Sequence, residues 1–152
     1  MKLLLKISIL ILLSVTFVGC ADSSKSTHST QRSENKLEKL IIEEGDDEAY
    51  SELYVPYCCE YGIHKLLPYS FVMANTYKKG NAYYDVYFEL MVLYRQNMNL
   101  VDEDVAEVMM KYLTKAMEFG NENATKRCNE SGIEATDTNL EKIRKIYNKF
   151  YK

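Results

Sequence analysis

The chain has 152 residues, 47% hydrophobic and 27% charged, with 19 basic and 22 acidic side chains and a formal net charge of −3. Those proportions sit inside ordinary globular usage, which excludes a collagen-like, low-complexity or wholly disordered chain and bounds the fold to one domain or one short array. The acidic balance excludes the basic footprint that nucleic-acid binding requires.

The N-terminus "MKLLLKISILILLSVTFVGC" places Lys2 and Lys6 before an apolar run from Ile7 to Gly19. A membrane-spanning helix needs roughly 20 apolar residues, more than this run supplies, so residues 1–19 are expected to be a secretory signal peptide. Phe17, Val18, Gly19 and Cys20 resemble the bacterial lipobox, in which small residues precede a cysteine that is acylated and becomes the mature N-terminus. That resemblance implies lipidation of Cys20 and membrane attachment through the N-terminal anchor only; more than one acyl chain makes such an anchor stable. The other reading is an ordinary signal peptide with a chance cysteine. Under the lipoprotein reading, Ala21 rather than Asp after the cysteine implies the periplasmic face of the outer membrane.

Loss of residues 1–19 leaves 17 basic side chains against 22 acidic ones. "ADSSKSTHSTQRSEN", from Ala21 to Asn35, has seven Ser or Thr and a single alanine as its apolar content. It cannot bury enough surface to offset the entropy of ordering. Residues 20–36 are therefore read as a lipidated cysteine with a flexible Ser/Thr-rich linker, and residues 37–152 as the folded domain.

Glycine then punctuates the domain three times, in "GDDEAY" from Gly45, "GNAYYDVY" from Gly80 and "GNENATKRCNESG" from Gly120, at intervals of 35 and 40 residues. Each follows a run with apolar residues at helical spacing, where a left-handed C-terminal cap is wanted. Asp46, Asn81 and Asn121 come next, and their side chains can accept from the free amides of a new helical turn. Each glycine should thus end one helix and open another, and repetition at this interval marks a stacked helical-hairpin array.

In the first unit Ala49, Leu53, Tyr57 and Tyr61 keep helical spacing before Gly62, and a second helix starts near Pro68. Pro56 lies inside the first of these helices and should kink or break it. In the second unit Tyr84, Tyr87, Phe88, Met91 and Tyr94 precede the polar "RQNMN", and "DEDVAEVMM" restarts with acids where the helix dipole favours them. The third unit runs from Asn121 to Glu130. It is followed by a helix with Leu140, Ile143, Ile146 and Tyr147 on one stripe and lysines on the other, which suits a capping helix.

"YLTKAMEFGNENA", from Tyr112, resembles a junction between Sel-one-like repeats, bacterial relatives of the tetratricopeptide repeat: Lys115, Ala116, Gly120, Asn121 and Ala124 match the pattern. Gly45, Asp46 and Ala49 match its starting half, as do Gly80 and Asn81, with Tyr84 standing where alanine is expected. The resemblance spans residues 37 to about 135. It implies an all-α fold, a short right-handed superhelix of stacked antiparallel helix pairs, two repeats plus a partial third with a C-terminal capping helix.

The catalytic inventory is thin: two histidines, His28 in the linker and His64 in a loop, with no phosphate loop and no nucleophile elbow. The acids from Glu43 to Glu48 and from Asp102 to Asp104 suit helix starts better than a metal site. No cofactor, metal ion or small-molecule substrate is expected, and the chain is read as a binding protein rather than an enzyme. Cys58, Cys59 and Cys128 admit two readings, a bridge with one thiol left over or small buried side chains, and burial is preferred.

The chain has 13 tyrosines and no tryptophan. In tetratricopeptide-like arrays the first helices line a concave surface, so Tyr50, Tyr54, Tyr57, Tyr83, Tyr84, Tyr87 and Tyr94 are the expected partner-binding residues. Phenol rings give large contact area with little rotamer entropy to lose; the other reading has half of them filling the core. Lipid-anchored Sel-one-like proteins of this size resemble immunity partners of periplasmic toxins. The expected partner is accordingly another protein, a toxin or an envelope component.

Overall fold

The computed structural model describes residues 32–57 and 62–152. The expected signal peptide, Cys20, most of the linker, Cys58, Cys59 and Tyr61 lie outside the described residues. Among the described residues the protein is all-α, with no strand.

Seven helices follow in chain order: α1 (Glu34–Glu44), α2 (Asp47–Pro56), α3 (Leu67–Asn75), α4 (Gly80–Tyr94), α5 (Glu103–Glu118), α6 (Glu122–Glu130) and α7 (Asn139–Phe150). Short 3-10 turns at Ile63–Lys65 and Met98–Leu100 lead into α3 and α5. Consecutive helices pack against each other at α1/α2, α3/α4, α4/α5, α5/α6 and α6/α7, and α1 also meets α3, as α5 meets α7. The helical unit starts earlier than residue 37: Ser33 precedes α1, and Arg32 donates through its backbone N–H (3.0 Å) and Nε (2.9 Å) to the Glu52 carboxylate.

The first and third corners follow the expected plan. Gly45 at φ 64° and Gly120 at φ 79° take the left-handed conformation that glycine adopts without a Cβ penalty. The amides beyond them turn back, Asp46 N–H to Leu40 O (3.4 Å) and Asn121 N–H to Ala116 O (2.9 Å). Asp46 Oδ1 then accepts from Ala49 N–H (2.8 Å) and Asn121 Oδ1 from Ala124 N–H (3.0 Å), satisfying an orphan donor of each new helix.

The second corner corrects the reading of Gly80 and Asn81. Lys78 takes the left-handed position at φ 57°, Lys79 N–H returns to Met73 O (3.0 Å), and Lys79 is the N-cap, with no side-chain bond. Gly80 is already the first residue of α4. What requires glycine there is proximity: a Cβ would stand 2.7 Å from Phe119 Cβ at the end of α5. The helix register moves with the corner, so the alanine three residues past the N-cap is Ala82, matching Ala49 and Ala124, and Tyr84 is no misfit. All three alanines are at most 1% exposed, as close helix approach demands. With this register "AYSELY" at Ala49 and "AYYDVY" at Ala82 superpose as one repeated phrase.

The α-helical run of α2 breaks at Pro56, with Tyr57 passing into π geometry, and Pro68 sits in the first turn of α3, where its missing N–H costs nothing. Thr138 and Glu141 form a reciprocal capping box at the start of α7, which seals Ile143 and Ile146 against the core and leaves its lysines outside. Met73, Val86, Met91, Met109, Leu113 and Ala116 fill the centre at full burial. Ala116, near the end of α5, is among them, and its small side chain suits close helix approach.

Candidate functional site

The first turns of α2, α4 and α6 border a groove of about 690 Å³, with Asp47 and Tyr54 from α2, Asn81, Tyr84 and Asp85 from α4, and Asn121 ahead of α6. Two side-chain bonds lace its rim: Lys79 Nζ donates to Asp47 Oδ2 (2.6 Å) and Asn121 Nδ2 donates to Asn81 Oδ1 (3.1 Å). Exposed pairs of this kind contribute about 1 kcal/mol or less.

From the groove a polar chain runs inward. Tyr50 OH donates to Asp85 Oδ2 (2.9 Å) and lies 2.8 Å from Ser70 Oγ, and Ser70 Oγ is 2.7 Å from Glu89 Oε1. Ser70 and Glu89 are fully buried, and Glu89 Oε2 has no partner. Asp85 and Glu89 stand one helical turn apart on α4, so one face of that helix carries both carboxyls. Burial raises Asp85 to about 6, the Tyr50 bond opposing. Burial also raises Glu89 to about 8, the Ser70 bond opposing and the Asp85 charge adding to the rise. Near neutral pH the groove carboxyl is therefore ionised and the inner one protonated, which leaves no charge in the core.

Two hydroxyls join the acids, so the chain has a consistent direction. Protonated Glu89 can donate to Ser70, Ser70 to Tyr50, and Tyr50 to ionised Asp85, so that each of the two hydroxyl oxygens acts once as donor and once as acceptor. Reversing all three would move the charge inward to Glu89, where burial disfavours it.

The expected tyrosine surface is corrected by burial. Tyr50, Tyr57, Tyr83 and Tyr87 are 7%, 4%, 6% and 0% exposed and belong to the core. Tyr50 is bound into the polar chain, and Tyr57 OH donates to Glu34 and Glu38 of α1. The Tyr83 ring stacks on Phe119 at 5.3 Å between centroids. Tyr94 packs half-buried on the core, away from the groove lining. Tyr54 and Tyr84 remain as partly exposed groove walls. Tyr84 OH also accepts from Arg127 Nε (3.4 Å), whose guanidinium lies over the Phe150 and Tyr151 rings.

His64 is exposed on a 3-10 turn. Cys128 is buried, and burial raises its thiol, which makes it unreactive. Among the described residues no three His, Cys, Asp or Glu side chains are placed to hold a metal ion, and no helix is long and apolar enough to cross a membrane. Asp85, Ser70 and Glu89 escaped the sequence reading, although a signal was present: Glu89 sits between Phe88 and Leu90 in a helix apolar on nearly every side. No family model, curated protein or solved structure matches the chain.

Proposed function

We propose that this chain is a lipid-anchored, extracytoplasmic repeat protein that binds another protein in the groove at the starts of α2, α4 and α6. The observation that carries the reading is that groove itself: about 690 Å³, walled by partly exposed Tyr54 and Tyr84, with the Asp85 carboxylate inside. Rings with a polar end, set beside a desolvated charge, are what binding hot spots are made of. The recurring N-cap-to-alanine spacing and the packing of α1 on α3 and α5 on α7 support the reading as a Sel-one-like array of stacked helix pairs.

The specific form proposed is an immunity protein that neutralises a periplasmic antibacterial toxin, with an envelope adaptor or assembly scaffold as the alternative. The acidic surplus of the mature chain favours a partner with a basic face. The test takes the purified product of a toxin-like gene adjacent to this one and measures its affinity for the full chain by calorimetry. The double variant Tyr54→Ala/Tyr84→Ala, still helical by circular dichroism, is expected to bind at least tenfold more weakly. Equal affinity would show that the groove is not the contact surface; binding to resident envelope proteins instead would select the scaffold.

A lipoprotein enzyme acting on cell-envelope substrates is the second reading, and it draws on the Asp85 and Glu89 pair. Only Asp85 of the two reaches the groove, because Glu89 and Ser70 are sealed. That leaves Asp85 as the acid of the pair that reaches the groove, while the exposed Ser51 hydroxyl of the lining donates to Asp47 O (2.9 Å) rather than to a base. Loss of a measured hydrolytic activity in Asp85→Asn would be its decisive support.

A further inference from the structure

Resting on the protein-binding reading above, we infer that Asp85 is the receptor for one cationic side chain, lysine or arginine, of the bound protein, and that Glu89 holds the pair's proton through Ser70 and Tyr50.

The groove is not electrically empty, but its charges are unequally matched. Asp47 is neutralised by Lys79 across the rim at 2.6 Å. Among the described residues the neutral Tyr50 hydroxyl bonds to Asp85, and no Lys, Arg or His side chain pairs with it. A half-buried carboxylate without a counter-charge is costly unless a cation arrives to share the site. The walls suit the same guest, because Tyr54 and Tyr84 line the groove with aromatic rings beside Asp85, a setting in which cations are attracted. Anions are disfavoured by the uncompensated Asp85, and an apolar guest would strand its carboxylate.

The inner acid gives the site its proton linkage. A protonated Glu89 that donates to Ser70 lets the three contacts run outward and leaves the negative charge at Asp85, facing the groove. A bound cation stabilises that arrangement and opposes the reversed one. The groups acting on the two carboxyls are Tyr50 from α2, Ser70 from α3 and the acids of α4 themselves; Asp47, Lys79, and His64 and Lys65 of the 3-10 turn packed on α4 contribute to neither shift. Asp85 is raised to about 6, so the site is charged above that pH and discharges as pH falls through it. Cation binding should weaken in the same direction.

The experiment titrates the full chain with a tri-arginine peptide, with tri-citrulline as the uncharged control, and follows backbone amides of Asn81, Asn121 and Asn123 by NMR. Tri-arginine is expected to bind and tri-citrulline not, and affinity should drop about tenfold between pH 7.5 and pH 5.0 as Asp85 takes up its proton. Asp85→Asn should abolish both the preference and the pH dependence, while Glu89→Gln, a neutral mimic of the protonated acid, should keep binding at pH 7.5. Equal binding of the two peptides, or equal affinity in wild type and Asp85→Asn, overturns the inference. Should Asp85→Asn not fold, Tyr50→Phe serves: loss of the bond that lowers Asp85 must move the pH midpoint upward, and an unmoved midpoint overturns the inference. Partner capture that depends on Tyr54 and Tyr84 but not on Asp85 overturns this inference alone. A cation site without groove-dependent capture overturns the protein-binding reading and leaves the site standing.

Discussion

At Gly45 and Gly120 the chain turns on a glycine in the left-handed region, whereas between them it turns on Lys78 and carries its glycine into the next helix. Three corners that look alike as sequence thus use glycine for two different physical reasons. At the outer corners the need is conformational, because a side chain costs roughly 1–2 kcal/mol at positive φ. At the middle corner it is steric, because α4 begins against Phe119. Gly45 carries both needs at once, since a Cβ there would also run into the Tyr77 ring, whose hydroxyl is bonded to Ile42 O.

Alanine substitution separates these causes, and urea unfolding measures the result. Gly45→Ala should be the most damaging, at about 3 kcal/mol or more, because strained backbone and a ring collision add. Gly80→Ala should cost about 1–2 kcal/mol, overpacking against Phe119 being partly offset by alanine's better helix propensity. A neutral or stabilised Gly80→Ala would mean that the close approach is not real. Gly120→Ala meets nothing within 4 Å and should show the conformational cost alone, about 1 kcal/mol. Lys78→Gly should run the other way and stabilise by up to about 1 kcal/mol, because it relieves a lysine at φ 57°. If Lys78→Gly destabilises, the lysine side chain, whose Nζ is bonded to Asn75 O, outweighs the backbone strain.

The same contrast shows how far the sequence could be read. Helices, their ends at Gly45 and Gly120, the caps at Asp46 and Asn121 and the apolar stripe of α7 follow from local rules that act within a few residues. The second corner did not, because nothing in "KKGN" announces that a lysine takes the left-handed turn. That shifted the alignment of α4 by two residues and made Tyr84 look like a misfit, when "AYSELY" and "AYYDVY" offered the true match. The tyrosines were harder still. α4 is apolar on nearly every side, so periodicity gives no sign of which face is buried. The repeat resemblance put Tyr57, Tyr83 and Tyr87 on a binding surface although they belong to the core, while Tyr50 is both core and groove lining. The carboxyl pair depends on Ser70 and Tyr50 arriving from two other helices, a meeting that no window of sequence contains.

Arg127 links one groove wall to the far end of the chain, with its Nε 3.4 Å from Tyr84 OH and its guanidinium 4.2 Å and 4.8 Å from the Phe150 and Tyr151 ring centres. Clipping the final three residues would therefore act at a distance. Every residue that lines the cleft would still be in place, yet Tyr84 would have lost its brace, so a fused reporter or a nicking protease at that end could blunt recognition without touching the recognised surface.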